Sequence, residues 1–136
     1  MAFVLDTSVT MAWCFADEST PATEALLDQL VEQEAWVPPL WHLEVVNVLL
    51  VAERRGRLSQ AQSERFLELL AALPIRTADS SPEAAQLLGL GRHHRLSAYD
   101  AAYLALAGRH GLPLATGDRG LAEACQAAGV EALRAA

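Results

Sequence analysis

The stretch "SAYDAAYLALAGRHGLPLATGD" (Ser97–Asp118) decides the fold class. Its first part reads as an apolar helix from about Ser97 to His110, with Tyr99, Ala102, Tyr103, Leu104, Leu106 and Ala107 able to face an interior. Ser97 followed by Asp100 fits S-x-x-D, a capping-box variant that satisfies the first free N–H groups of a helix. Gly111 ends the helix, "LPLAT" (112–116) follows as a short apolar strand, and "GDRGLAEACQAAG" (117–129) is a turn leading into another helix. Strand and helix alternating in this way imply an α/β layer structure around a mainly parallel sheet.

The rest of the chain repeats the alternation. "AFVL" (2–5) is a short apolar run ending at Asp6 and reads as a buried strand, while "VTMAWCFA" (9–16) is either a helix or a loop with an apolar face. "STPATEALLDQLVEQE" (19–34) has a cap signal at Ser19 or Thr20, Pro21 in its first turn and apolar residues at helical spacing. "WV" before Pro38-Pro39 is a strand end or a turn. "LWHLEVVNVLLVAERRG" (40–56) is a strongly apolar helix closing in arginines and a glycine. "SQAQSERFLELLAAL" (59–73) is amphipathic and stopped by Pro74; "IRTA" (75–78) is a short strand. "SSPEAAQLLGLGRHH" (80–94) opens with a second capping box, Ser80 to Glu83, and "VEAL" (130–133) reads as a last edge strand. No repeat or linker interrupts the chain, which is expected to form one domain over residues 1–136.

Hydrophobic residues make up 52% of the 136 positions and charged ones 20%, which excludes general disorder and leaves apolar surface suited to a subunit interface. No apolar run is long enough to span a bilayer, and "MAFVLD" lacks the basic start of a signal peptide. Cys14 and Cys125 suggest no disulfide framework, so a reduced, cytoplasmic setting is expected. The net charge of −7 is a poor footprint for passive nucleic-acid binding. It does not exclude a nucleic-acid enzyme, because divalent cations would invert the field of an acidic pocket. All ten basic residues are arginine, so every mechanism that needs a lysine is removed.

Ligands of open α/β sheets bind outside the carboxyl ends of the strands. Asp6 follows "AFVL", Asp118 follows "LPLATG", and Asp100 lies at a helix start that faces the same edge. Asp6 and Asp118 could each equally be no more than the N-cap of the next helix. Glu44 stands in the apolar "LEVVNVLLVA", with Asn47 as the one polar companion on its face and no cation within a turn. A charge in such a place is costly unless paired or bound to metal. Two carboxylates about 5 Å apart at an effective dielectric near 20 repel by roughly 3 kcal/mol. A cluster of four therefore makes sense around Mg²⁺ or Mn²⁺, hard cations that take oxygen ligands and substrate phosphates.

"VLDTS", "LEVVNVL", "SAYDAAYLALA" and "LATGD" together resemble the PIN-domain ribonucleases, and among them the VapC toxins of bacterial toxin–antitoxin pairs. The resemblance runs from Phe3 to about Gly129. It implies the PIN-like three-layer fold, with a mainly parallel central sheet flanked by helices. It also implies that Asp6, Glu44, Asp100 and Asp118 form the metal-binding quartet, that the hydroxyls of Ser8 and Thr116 support it, and that Asn47 belongs with Glu44. The implied activity is divalent-metal-dependent endonucleolytic cleavage of RNA, leaving 5′-phosphate and 3′-hydroxyl ends. Asp6 and Asp100 would be the principal ligands, with Glu44 and Asp118 ligating directly or through water. The implied partners are the RNA substrate and a small cognate antitoxin.

Arg119, beside Asp118, is the arginine expected to touch a phosphate. Arg54, Arg55 and Arg57, and the run Arg92-His93-His94-Arg95, read first as solvated helix ends, and Trp13 and Trp41 as core. A phosphotransfer fold with an Asp after its first strand calls for a lysine that this chain lacks. The other readings are a metal-independent ribonuclease using His93 or His94, a non-toxic RNA-processing nuclease, and an inactive partner-binding module. The apolar composition adds the expectation of a homodimer with a groove left for an amphipathic antitoxin segment.

Overall fold

The computed structural model describes residues 2–135. Five strands, β1 (Ala2–Leu5), β2 (Glu34–Val37), β3 (Ile75–Thr77), β4 (Leu114–Thr116) and β5 (Ala132–Arg134), form one sheet in the order β3-β2-β1-β4-β5. Every neighbouring pair is parallel. The helices flanking it in a three-layer arrangement are α1 (Thr7–Cys14), α2 (Pro21–Gln29), α3 (Leu40–Arg54), α4 (Gln60–Ala71), α5 (Ala84–His94), α6 (Ala98–His110) and α7 (Arg119–Ala127).

β1 is central because Phe3, Val4 and Leu5 are all buried, as an apolar run covered on both faces must be. It pairs with β2 through Phe3↔Ala35 and with β4 through Leu5↔Ala115. From β1 the chain builds outward through β2 to β3, then returns to β1's other side with β4 and continues to β5. The boundary between β1 and β4 is thus the point where strand order reverses, and a crevice opens there at the carboxyl ends. The core around it draws Val9 from α1, Val45 from α3, Tyr103 from α6 and Leu121 from α7.

Two expectations need correction. The helix read over 19–34 stops at Gln29, and Glu34 already belongs to β2. Ala35 and Val37 are buried while Glu34 and Trp36 are half-buried, a period-two pattern set by pairing with β1, which overrides the local helical signal. The Ser80–Glu83 capping box does not form. α5 begins only at Ala84 with Glu83 as an uncapped N-cap, while Ser80 Oγ accepts a hydrogen bond from Arg109 Nη1 at 2.6 Å. Of the two cap candidates at α2, Thr20 is the cap, in a reciprocal box with Thr23, and Gly111 lies in the left-handed region after α6 as read. The open choice at 9–16 resolves as helix α1.

Candidate active site

Asp6 is the first residue past β1 and is buried. Its Oδ2 accepts hydrogen bonds from Ser8 Oγ at 2.9 Å and from Thr116 Oγ1 at 2.6 Å. The register makes the second contact possible, since Leu5 pairs with Ala115 and places Asp6 beside Thr116. Ser8 Oγ accepts the Gly117 N–H at 3.0 Å, and Thr116 Oγ1 accepts the Asp118 N–H at 3.0 Å. The ends of β1 and β4 are thereby stitched together through the hydroxyls of Ser8 and Thr116. Burial raises the Asp6 pKa, and the bonds from Thr116 and Ser8 pull it back.

Asp118 is the N-cap of α7, with Oδ1 accepting the Gly120 N–H at 3.1 Å. Asp100 lies in the first turn of α6. Ser97 Oγ accepts the Asp100 backbone N–H at 3.1 Å, so Ser97 is a true cap. The Asp100 carboxylate makes no reciprocal bond to the Ser97 N–H, and half of the box is missing. That carboxyl is instead held up at a pKa of about 6, first by burial, then by the charges of Asp6, Asp118 and Glu44 and by a hydrogen bond with Asp118. The four acids thus share one electrostatic neighbourhood.

Glu44 comes from the second turn of α3, directly after β2 and the Pro38-Pro39 step. It is half-buried, and its Oε1 accepts from Thr7 Oγ1 at 2.9 Å and from Tyr103 Oη at 2.6 Å. Burial, and then the hydrogen bond it donates to Glu44, push the Tyr103 phenol well above its ordinary pKa. Thr7 and Tyr103 are the participants that sequence reading missed. The signals were available: Thr7 sits inside "VLDTS", and Tyr103 is three residues from Asp100 on the same helical face. A buried tyrosine also needs a partner for its hydroxyl.

Asn47 is exposed and makes no hydrogen bond with Glu44. Arg119 is not brought to the acids: its Nε donates to Glu123 Oε1 at 3.3 Å, and its side chain is 85% exposed. Arg57 pairs with Asp17 and lies over the Phe15 ring, while His93 and His94 pack ring against ring. Trp41 is core, donating to Thr10 Oγ1, and half-buried Trp13 donates to the Thr23 carbonyl.

Among the described residues, no salt bridge reaches any of the four acids. Asp6, Asp100 and Asp118 each stand at a helix N-terminus, where the positive end of the helix dipole offsets part of their repulsion. The donors are all oxygen and poor in counter-charge, which fits a hard divalent cation. As placed, no three His, Cys, Asp or Glu side chains among the described residues close on a single point. A groove of about 470 Å³ runs beside Ser8, Gly117 and Asp118. The larger cavity, about 590 Å³ and lined by Pro82, Leu90, Ala102 and Arg109, includes none of the acids.

Residues 3–127 match the PIN domain family. Ribonuclease VapC3 of Pyrobaculum aerophilum is 35% identical over 127 residues, covering 90% of this chain and 94% of that protein. The crystal structure of PAE2754 from the same organism superposes with a TM-score of 0.75 at 22% identity, over 98% of this chain and 90% of that one. FitAcB from Neisseria gonorrhoeae has a TM-score of 0.63 at 23% identity, covering 97% of this chain and 96% of that one. VapBC2 from Rickettsia felis, bound to a DNA fragment from its promoter, also has a TM-score of 0.63, at 10% identity and 97% coverage of both chains.

Proposed function

Because the chain belongs to the PIN-domain family, we propose that it is a divalent-metal-dependent endoribonuclease, the toxin of a toxin–antitoxin pair. The observation that carries this reading is the convergence of Asp6, Glu44, Asp100 and Asp118 at the strand-order switch, with no salt bridge to any of them among the described residues. Asp6 and Asp100 would hold Mg²⁺ or Mn²⁺, with Glu44 and Asp118 ligating directly or through water. When bound, such a cation supplies acidification of water and charge stabilisation at a phosphodiester. The chain's own part is to fix the oxygens: Ser8 and Thr116 hold Asp6, Gly120 holds Asp118, and Thr7 and Tyr103 hold Glu44. Hydrolysis in this site leaves 5′-phosphate and 3′-hydroxyl ends. Arg119 is released to a phosphate only if its exposed ion pair with Glu123 opens, a small cost for a surface pair.

The surface fits the proposed partners. Leu43, Val46 and Leu50 form an exposed apolar stripe on α3, joined in exposure by Leu67 and Leu69 on α4. α5 has no fully buried residue and leaves Leu88 exposed. Apolar surface of this kind suits a homodimer contact and a groove for an amphipathic antitoxin segment. An arginine on that segment would compete with metal for the carboxylates. The two free thiols and the lack of any helix long and apolar enough to cross a membrane, among the described residues, accord with work in the cytoplasm.

Induced expression of the chain alone tests the toxin reading, with 5′-end sequencing of cellular RNA to map cuts. Growth should arrest, Asp6→Ala should abolish the arrest, and co-expression with the neighbouring small gene should restore growth and yield a stable complex on size exclusion. Harmless expression of soluble protein in a host without a matching antitoxin overturns the toxin role and leaves an RNA-processing nuclease.

A further inference from the structure

Tyr103 is completely buried, yet its hydroxyl is the shortest contact that Glu44 makes. Tyr103 Oη, Thr7 Oγ1 and Glu44 Oε1 form a closed triangle with edges of 2.6, 2.8 and 2.9 Å. With Glu44 ionised, those three edges share only two protons, one from the phenol and one from the threonine hydroxyl. The 2.6 Å edge is the length of a charge-assisted O–H···O⁻ bond, which assigns the phenol proton to Glu44. The Thr7 proton then serves either Glu44 or the Tyr103 oxygen, and in both arrangements Glu44 Oε1 is occupied. No donor among the described residues reaches Oε2.

We propose that Tyr103 is a positioning residue that locks Glu44 by one oxygen and leaves Oε2 as its single free ligand atom. The proposal rests on the reading of the four acids as a cation site. One turn separates Tyr103 from Asp100, so α6 delivers one acid of the cluster and orients another that belongs to α3. A glutamate side chain has several rotatable bonds, and ordering it before a ligand arrives removes that entropy from the binding step. Phenylalanine would fill the same core volume but leave Glu44 with Thr7 alone.

The test is calorimetric titration of Mn²⁺ into the purified full-length chain, alongside thermal melting of the metal-free protein. Tyr103→Phe should weaken Mn²⁺ binding about 10- to 100-fold, the scale for losing an outer partner of a metal ligand, while still melting cooperatively. Thr7→Val should weaken it less and provides a second route if Tyr103→Phe folds poorly. Glu44→Gln should also weaken binding, and adding Tyr103→Phe to it should change little further, because both remove one element. Wild-type affinity in Tyr103→Phe, with Glu44→Gln impaired, overturns the positioning role and leaves the cation site standing. A full additional loss when Tyr103→Phe is added to Glu44→Gln also overturns it, by showing that the phenol acts elsewhere. Absence of Mn²⁺ binding by the wild type overturns the cation site and this inference together.

Discussion

Asp100 contributes its backbone, rather than its carboxylate, to the start of α6. Ser97 Oγ takes its N–H, and the free carboxyl is left half-buried among three other acids. Its folded pKa of about 6 lies above the value of about 3.9 expected in the unfolded chain. Between those values the folded state holds the extra proton, so this group favours folding at low pH and that stability is lost as pH rises through 6. Metal-free protein should therefore melt higher at about pH 5 than at about pH 7.5 by an increment that Asp100→Asn removes. The variant should also melt higher than wild type at neutral pH. Comparing the two proteins across the series isolates the contribution of Asp100, since every other group is common to both. Parallel pH profiles would contradict the assignment; RNA cleavage should fall at least about 10²-fold in the variant. Glu44 stood out in the sequence because a charge in an apolar helix is anomalous, whereas Asp6 and Asp118 read equally well as N-caps, which Asp118 also is. Tyr103 did not stand out, because an aromatic residue in an apolar helix looks like core, which it also is.

At the level of elements, Thr116 ties three of them together from the last position of β4. Its hydroxyl donates to Asp6 at the end of β1 and accepts the Asp118 N–H at the start of α7. Thr116→Val keeps the shape and leaves an N–H and a carboxylate oxygen short of partners. The expected cost is about 1–3 kcal/mol, read as a lower urea midpoint with unchanged slope. A midpoint equal to wild type would show that the hydroxyl is dispensable. The elements themselves were read best where the signal is local. Thr20 and Ser59 start helices with reciprocal caps, and Gly111 ends one in the left-handed region. The end of β2 was read at "WV", but its start was misread because Glu34 and Ala35 become strand only through pairing with β1, information absent from the local periodicity. Ser80 misled for a related reason: its partner is Arg109, on α6 and far along the chain.

For the whole molecule, alternating strands and helices imply a parallel sheet, but the order β3-β2-β1-β4-β5 exists only once the strands pair. That order turns four acids scattered from position 6 to position 118 into one group at the reversal between β1 and β4. The same topology explains why the acids survive together, since three of them cap or begin helices whose dipoles face the crevice. Catalysis by this group is the central claim. Its most direct test is RNA cleavage by the purified protein in Mg²⁺ or Mn²⁺, in excess EDTA, and after Mn²⁺ is restored, with Asp6→Ala carried through the same purification. Cleavage should stop in EDTA, return with Mn²⁺, and be missing from Asp6→Ala throughout. Undiminished cleavage in excess chelator, or equal cleavage by Asp6→Ala, would contradict it.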